Sequence, residues 1–166
     1  MRKTDIVAGK IYLLDELKIE VMRWRFKSNT IAFTNGCFDI IHAGHISSLS
    51  QAAAEASFLI VGVNSDASTK RLKGEGRPVN SQESRALVLA SLIMVDAVVI
   101  FEEDTPIELI KALKPDVLVK GGDYSTDQII GAKEVVENGG KIVISPIIEG
   151  FSTTGILTKI TNSKKK

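Results

Sequence analysis

The sequence predicts one α/β domain, a Rossmann-like, doubly wound parallel sheet of five strands in the order 3-2-1-4-5 with an extra N-terminal helix. Three observations lead there. Five short apolar runs, Ile31-Ala32-Phe33, Phe58 to Val63, Ala97 to Phe101, Val117-Leu118-Val119 and Ile142-Val143-Ile144, have the length and β-branched content of buried strands. Apolar residues recur between them at helical spacing, which makes each connection a crossover of right-handed sense. Polar and glycine-rich stretches follow the strands at their carboxyl ends, where open α/β sheets bind ligands. In this strand order the reversal falls beside the first strand.

Taken in order, Leu14, Leu17, Val21 and Trp24 describe an amphipathic helix through about Lys27, within an N-terminal extension of residues 1–29. Trp24 is open to three readings: packing, stacking on a base, or a contact in a homodimer. The domain proper covers residues 30–161. Its first strand stops at Asn35-Gly36, a turn follows, and a helix starting at Gly44 places Ile46, Leu49, Ala53 and Ala56 on one face. The only two histidines, His42 and His45, flank Gly44 at that helix start, where free N–H groups and the positive end of the dipole suit a phosphate.

The second strand ends at Asn64-Ser65-Asp66, which puts Asp66 on the same edge as His42. Residues 67–79 read as a basic, mobile loop carrying Lys70, Arg71, Lys73 and Arg77. Asn80 can cap the next helix, with Glu83 completing a capping box, and Ala86, Leu89, Ala90 and Ile93 form its buried face. Arg85 lies off that stripe, where the residues alone read it as an exposed charge. After the third strand, Thr105-Pro106 starts a helix that ends before Pro115. The fourth strand runs into Lys120-Gly121-Gly122-Asp123, a lysine and two glycines suited to close approach by an anion. The helix after it ends at Asn138-Gly139-Gly140. Following the fifth strand, Gly150-Phe151-Ser152-Thr153-Thr154-Gly155 gathers hydroxyls at one more helix start.

Bulk properties narrow the function. The chain has 166 residues, 44% hydrophobic and 25% charged, with a net charge of +1. That balance gives no general pull toward nucleic acid or membrane, so a small-molecule partner is expected. The single cysteine, Cys37, cannot form an intrachain disulfide and reads as a small buried hydrophobe. With no run of about 18 apolar residues and no signal-peptide core after Met1-Arg2-Lys3, a cytoplasmic setting is expected. Residues 162–166, ending in Lys164-Lys165-Lys166, read as a solvated basic tail.

The His42-Ala43-Gly44-His45 spacing after an apolar strand resembles the signature of the nucleotidylyltransferase superfamily. Thr34-Asn35-Gly36-Cys37-Phe38-Asp39, Arg71-Leu72-Lys73-Gly74-Glu75-Gly76-Arg77-Pro78-Val79-Asn80 and Val119-Lys120-Gly121-Gly122-Asp123-Tyr124 extend the likeness. Together they resemble the adenylyltransferase domain of bacterial ADP-heptose synthases, from about Thr30 to Ile160. The resemblance implies transfer of AMP from ATP to D-glycero-β-D-manno-heptose 1-phosphate, for lipopolysaccharide core assembly, with Mg²⁺ held mainly by the ATP phosphates. It implies catalytic roles for His42, His45, Lys73 and Lys120, with Lys73 on a loop that closes over the phosphates. Nucleotide and phosphate contacts are expected from Thr34, Asn35, Gly36, Phe38, Gly44, Arg85, Gly121, Ser152, Thr153 and Thr154. The acceptor is expected at Asp39, Asp66, Arg71, Arg77 and Asp123; Asp39 is also the best protein candidate for an outer contact to Mg²⁺ and equally suited to forming the turn, and Asp123 to shaping its loop. No protein-held metal site is expected. The sugar kinase that precedes this domain in bifunctional members would be a separate polypeptide. Two alternatives stand beside this reading: a cytidylyltransferase for a polyol phosphate, against which Ile147 argues because related cytidylyltransferases carry arginine there, and a nucleotide-binding regulatory module without turnover.

Overall fold

A computed structural model describes residues 6–122, 125–146 and 150–163; Asp123, Ile147 and the tail Lys164-Lys165-Lys166 lie outside these. The sheet is wholly parallel. Its strands are β1 (Ile11–Tyr12), β2 (Ile31–Gly36), β3 (Phe58–Asn64), β4 (Ala97–Phe101), β5 (Val117–Gly121) and β6 (Lys141–Ser145), in the order β1-β4-β3-β2-β5-β6. Without β1 this is the predicted 3-2-1-4-5 order. The sixth strand is a two-residue addition at one edge, where Ile11 and Tyr12 pair with Val98 and Val99, too short to leave a periodic signal in the sequence.

Side chains alternate between the two faces of the sheet, and each face has its own core. Phe33, Ile60, Val99 and Leu118 pack with Leu17, Val21 and Trp24 of α1 (Leu14–Phe26) and with Leu109, Ile110 and Leu113 of α5 (Ile107–Leu113). Their strand neighbours Ala32, Leu59, Val61, Val98 and Val119 pack with Leu49 and Ala52 of α2 (Ala43–Ala53) and with Ala86 and Leu89 of α4 (Gln82–Ala90). Burial on both faces is why the strands read as continuous apolar runs. Trp24 is buried and stacks on Phe58 with ring centroids 4.3 Å apart, so it belongs to the core and not to a base-binding surface. Strand starts are held by carboxylates: Asp116 accepts from Ile31 N–H and Asp96 from Leu59 N–H, both at 2.8 Å.

Several local expectations are corrected. Residues 67–79 are not all loop, because α3 (Asp66–Lys73) occupies the first half. The Ser65 hydroxyl caps α3 by accepting from Ser68 N–H, and lysine and arginine in its last turn suit the negative end of the dipole. The cap of α4 is Ser81, which accepts from Ser84 N–H, whereas Asn80 is bound to Asp39. Helix α4 ends at Ala90, which leaves Ile93 93% exposed and off the buried face. Helix α5 starts one residue later than expected, with Pro106 at its cap position and Lys114 in left-handed conformation closing it before Pro115. Helices α6 (Ala132–Glu137) and α7 (Thr153–Ser163) complete the chain, with a 3-10 turn at Thr126–Gln128 before α6. Among the described residues no helix is long and apolar enough to cross a membrane.

Candidate active site

The turn between β2 and α2 is built around Phe38, whose φ of 47° places a bulky residue in the left-handed region. Such a conformation persists only where its surroundings enforce it. Here the ring is buried and lies 5.4 Å from the His45 ring. His42 then takes the cap position of α2 through its backbone, its carbonyl accepting from His45 N–H at 2.9 Å and Ile46 N–H at 3.2 Å. Its side chain makes no cap bond. The two imidazoles stack with centroids 3.9 Å apart, and the Nδ1 atoms of both are buried without a partner. Helix capping therefore does not explain either ring.

Gly44 leaves room for that stack. A Cβ there would meet the His42 ring at 3.1 Å and the Phe151 Cβ at 3.3 Å, so the close approach is between parts of the protein itself. Burial holds both histidines below the ordinary imidazole pKa, His45 down to about 4 with a further push from His42. Near neutral pH the pair is uncharged, and each ring carries one N–H to offer a ligand.

The histidines open on a cleft of about 640 Å³ that crosses the carboxyl edge of the sheet. Asn35, Gly36, Phe38, Asp39, Lys73, Arg77, Lys120, Ser152, Thr153 and Thr154 line it as well. A smaller adjoining space of about 290 Å³ adds Thr34, Gly44 and Gly121. Lys120 stands at the end of β5 with Nζ 3.5 Å from Asn35 Oδ1, and burial lowers its pKa. At the start of α7, Ser152 Oγ accepts from Gly155 N–H at 3.0 Å, and Thr153 Oγ1 donates to the Ile40 carbonyl. The N-termini of two 11-residue helices, α2 and α7, thus meet two lysines in one cleft, an arrangement made for anions.

Other expected contacts are engaged elsewhere. Arg85 is buried: Nη2 donates to Asp66 at 2.7 Å, Nε to the Asn80 carbonyl at 3.0 Å, and Nη1 to the Cys37 carbonyl. It lies behind the cleft wall and lines neither space, and Asp66 is its partner; neither reading offered for Arg85, exposed charge or phosphate contact, survives. Arg71 is turned away to Asp104 at 2.7 Å and to the Glu102 carbonyl at 2.6 Å. Asp39 is 3% exposed and has both oxygens filled, one by Arg77 and the other by Val79 N–H at 2.8 Å and Asn80 N–H at 3.0 Å. Burial alone would raise its pKa, but these donors outweigh it and hold the carboxyl below the usual range. Asp39 and Arg77 border the cleft as a latch between two segments, not as free acceptor-binding groups. The cleft also includes Asn64, Asp104 and Gln128, which the motifs do not mark. Their signal was position, since Asn64 ends β3 and Asp104 follows β4 on the carboxyl edge.

Among the described residues no group of three or more histidine, cysteine, aspartate or glutamate side chains could hold a metal. Asp39 has no oxygen left for an ion, because both are taken by donors of the protein.

Comparison with known proteins agrees with the geometry. The Cytidylyltransferase-like family matches residues 33–159. "Bifunctional protein HldE" of Paramagnetospirillum magneticum is 54% identical over 162 residues, covering 96% of this chain and 33% of that protein. Its namesake from Mesorhizobium japonicum is 54% identical over 140 residues, covering 84% of this chain and 28% of that protein. The chain therefore spans about a third of the length of these relatives. Among solved structures, a lipopolysaccharide core biosynthesis protein from Thermoplasma volcanium superposes with TM-score 0.58 and 27% identity, over 72% of this chain and 97% of the other. Pantoate-beta-alanine ligase from Francisella tularensis, at 18% identity and TM-score 0.56 over 82% of this chain and 66% of the other, shares the fold. With a family match over most of its length and the histidine pair set at the switch point of the sheet, the chain belongs to the Cytidylyltransferase-like family and is a nucleotidyltransferase.

Proposed function

We propose that the protein transfers AMP from ATP to D-glycero-β-D-manno-heptose 1-phosphate, giving ADP-heptose and pyrophosphate. The observation that carries this reading is the neutral, stacked histidine pair with unpartnered ring nitrogens, beside two helix N-termini and two lysines. A sugar phosphate has its second pKa near about 6, so its oxygen is largely ionised at neutral pH and needs no general base. The chemistry then asks only for alignment of two polyanions and for donors where charge accumulates. An acceptor phosphate oxygen forms a bond to the α-phosphorus while the bond to the β-bridging oxygen breaks in line, and pyrophosphate departs with that electron pair. His42 and His45 donate to the α-phosphate oxygens, Lys120 and Lys73 hold the flanking phosphates, and the starts of α2 and α7 add their N–H groups. Magnesium comes with ATP as part of the substrate. The heptose assignment rests on the motif resemblance and on the HldE relatives. The sugar 1-phosphate must come from a kinase reaction, in a longer polypeptide or a separate one, and the proposed setting is the cytoplasm.

Pyrophosphate release with ATP or CTP against heptose 1-phosphate and polyol phosphates tests this directly. Faster turnover with CTP would overturn the adenylyl assignment, and tight ATP binding without turnover on any acceptor would favour a regulatory module.

Closure of the segment after α3 has its own signature. Gly74 and Gly76 hold φ of 90° and 80°, and residues 70–76 are exposed, so Lys73, the last residue of α3, stands beside a short hinge at the cleft. Mg·ATP should slow tryptic cleavage after Lys70, Arg71 and Lys73. Equal cleavage with and without nucleotide would remove the lid.

Nucleotide binding should also take up protons. The histidine pKa values are depressed in the free protein, and a phosphate anion beside the rings favours the charged form, raising them. Uptake is expected to be small at pH 7 and to grow toward about pH 5.5, below the ordinary imidazole value and above the free-state value of His45. Titration calorimetry in buffers of differing ionisation enthalpy measures it. A heat of binding that ignores the buffer at both pH values would place the phosphates away from the pair.

A further inference from the structure

The cleft has two chemically different ends. Around the histidines and lysines it is built for anions; at the ends of β3 and β4 it is lined by Asn64, Asp104, Pro106 and Leu72. Asn64 is 2% exposed, yet it reaches the lining. Its Nδ2 donates to Ser68 Oγ at 3.0 Å and leans on the Glu103 carbonyl at 3.5 Å. A carbonyl can only accept, so the amide orientation is fixed and Oδ1 is the atom left over. Among the described residues nothing donates to it, and it is not among the sealed, partnerless atoms. Ser68 in turn donates to the Glu103 carbonyl at 2.9 Å, which keeps the carboxamide from rotating.

Asp104 stands beside it with Oδ1 bound to Arg71 Nε at 2.7 Å, leaving Oδ2 without a donor among the described residues. Arg71 holds its carboxyl below the usual range, so it is ionised at neutral pH. A carboxylate whose nearest cation is already spent repels phosphate and accepts from neutral hydroxyls. Pro106 and Leu72 supply the apolar surface that a sugar ring's C–H face requires.

Building on the adenylyl-transfer reading, we propose that the β3–β4 end of the cleft is the acceptor's sugar subsite. Asn64 Oδ1 and the Asp104 carboxylate accept hydrogen bonds from the hydroxyls, and Arg71 acts as the positioning residue for Asp104. The acceptor thereby lies with its phosphate toward Lys73 and Lys120 and its hydroxyl-bearing carbons toward β4. This assigns Arg71 to the sugar through Asp104, not to a phosphate.

The test is steady-state kinetics on Asn64→Ala and, because Asn64 also braces α3, on the more exposed Asp104→Asn, with melting temperature and ATP KM measured alongside. Each variant should raise the KM for heptose 1-phosphate by about 10-fold or more and leave the KM for ATP within about twofold. A deoxy analogue lacking the recognised hydroxyl should be discriminated by the wild type and not by the variant. An Asp104→Asn variant that saturates with ATP and keeps a normal acceptor KM and discrimination overturns the subsite while adenylyl transfer stands. If instead the wild type releases no pyrophosphate with any sugar phosphate, adenylyl transfer falls. The subsite is then decided by calorimetric titration of heptose 1-phosphate into wild type and Asp104→Asn: weaker binding by the variant supports it, and equal binding overturns it.

Discussion

His45→Ala is expected to lower kcat by about 100-fold or more, the scale for losing one preorganised donor to a developing oxyanion. The ring sits in the first turn of α2, stacked on His42 and tilted against Phe38, so its position is set before substrate arrives. Its neutral state matters as well, since the donor needs no proton transfer to be ready. ATP affinity should fall much less, because the lysines and both helix starts remain. Melting temperature should change little, since losing a buried, partnerless nitrogen offsets part of the packing lost against His42 and Phe38. Measuring kcat, ATP affinity and melting temperature on one preparation separates the possibilities. A folded variant with near-normal turnover would end the catalytic role of His45.

Asp39→Ala should be the most destabilising single change in the cleft wall, by about 3 kcal/mol, which for a chain of this size is a fall in Tm of roughly 10 °C. The side chain is fully buried, and removing it strands the 15%-exposed Arg77 guanidinium and two backbone N–H groups together. The pH dependence has a definite sign. A carboxyl held below its ordinary pKa stabilises the fold above the ordinary aspartate value, and that contribution is lost as pH falls through the folded-state pKa. The gap in stability between wild type and variant should therefore be constant near neutrality and close only in acid. Thermal melts across pH decide it, and a variant melting within about 2 °C of wild type at pH 7 would show that the latch carries no weight.

Fold and site were legible to different depths. Runs such as Ile31-Ala32-Phe33 and Val117-Leu118-Val119 are buried on both faces, so composition alone announces them, and their strand order is the one expected of a doubly wound sheet. The two-residue strand Ile11–Tyr12 gave no periodic signal, and α3 was hidden because its eight residues carry four charges and little apolar surface. Near the site, backbone-driven features were readable: a glycine between two histidines, a Ser-Thr-Thr helix start and a lysine at a strand end. Side-chain pairing was not. Nothing local in the sequence tells Arg71 to choose Asp104, Arg85 to choose Asp66, or Arg77 to choose Asp39, since those partners are 33, 19 and 38 residues away. Charges that looked available for phosphate are spent on one another. The ones that remain, Lys73 and Lys120, are those without a carboxylate partner among the described residues.

The short strand β1 has a consequence for how copies of the protein behave in concentrated solution. An all-parallel open sheet has two edges whose unpaired backbone groups can template association. On one side, Ile11 and Tyr12 cover β4, fastened by Lys10, whose ammonium donates to the Leu92 and Val95 carbonyls. On the other, β6 carries Lys141, a charged residue paired with Glu55 that discourages a further strand from adding there. One edge is blunted by a two-residue strand and the other by charge, so trimming through residue 13 would uncover the longer edge of β4 and make it available for association.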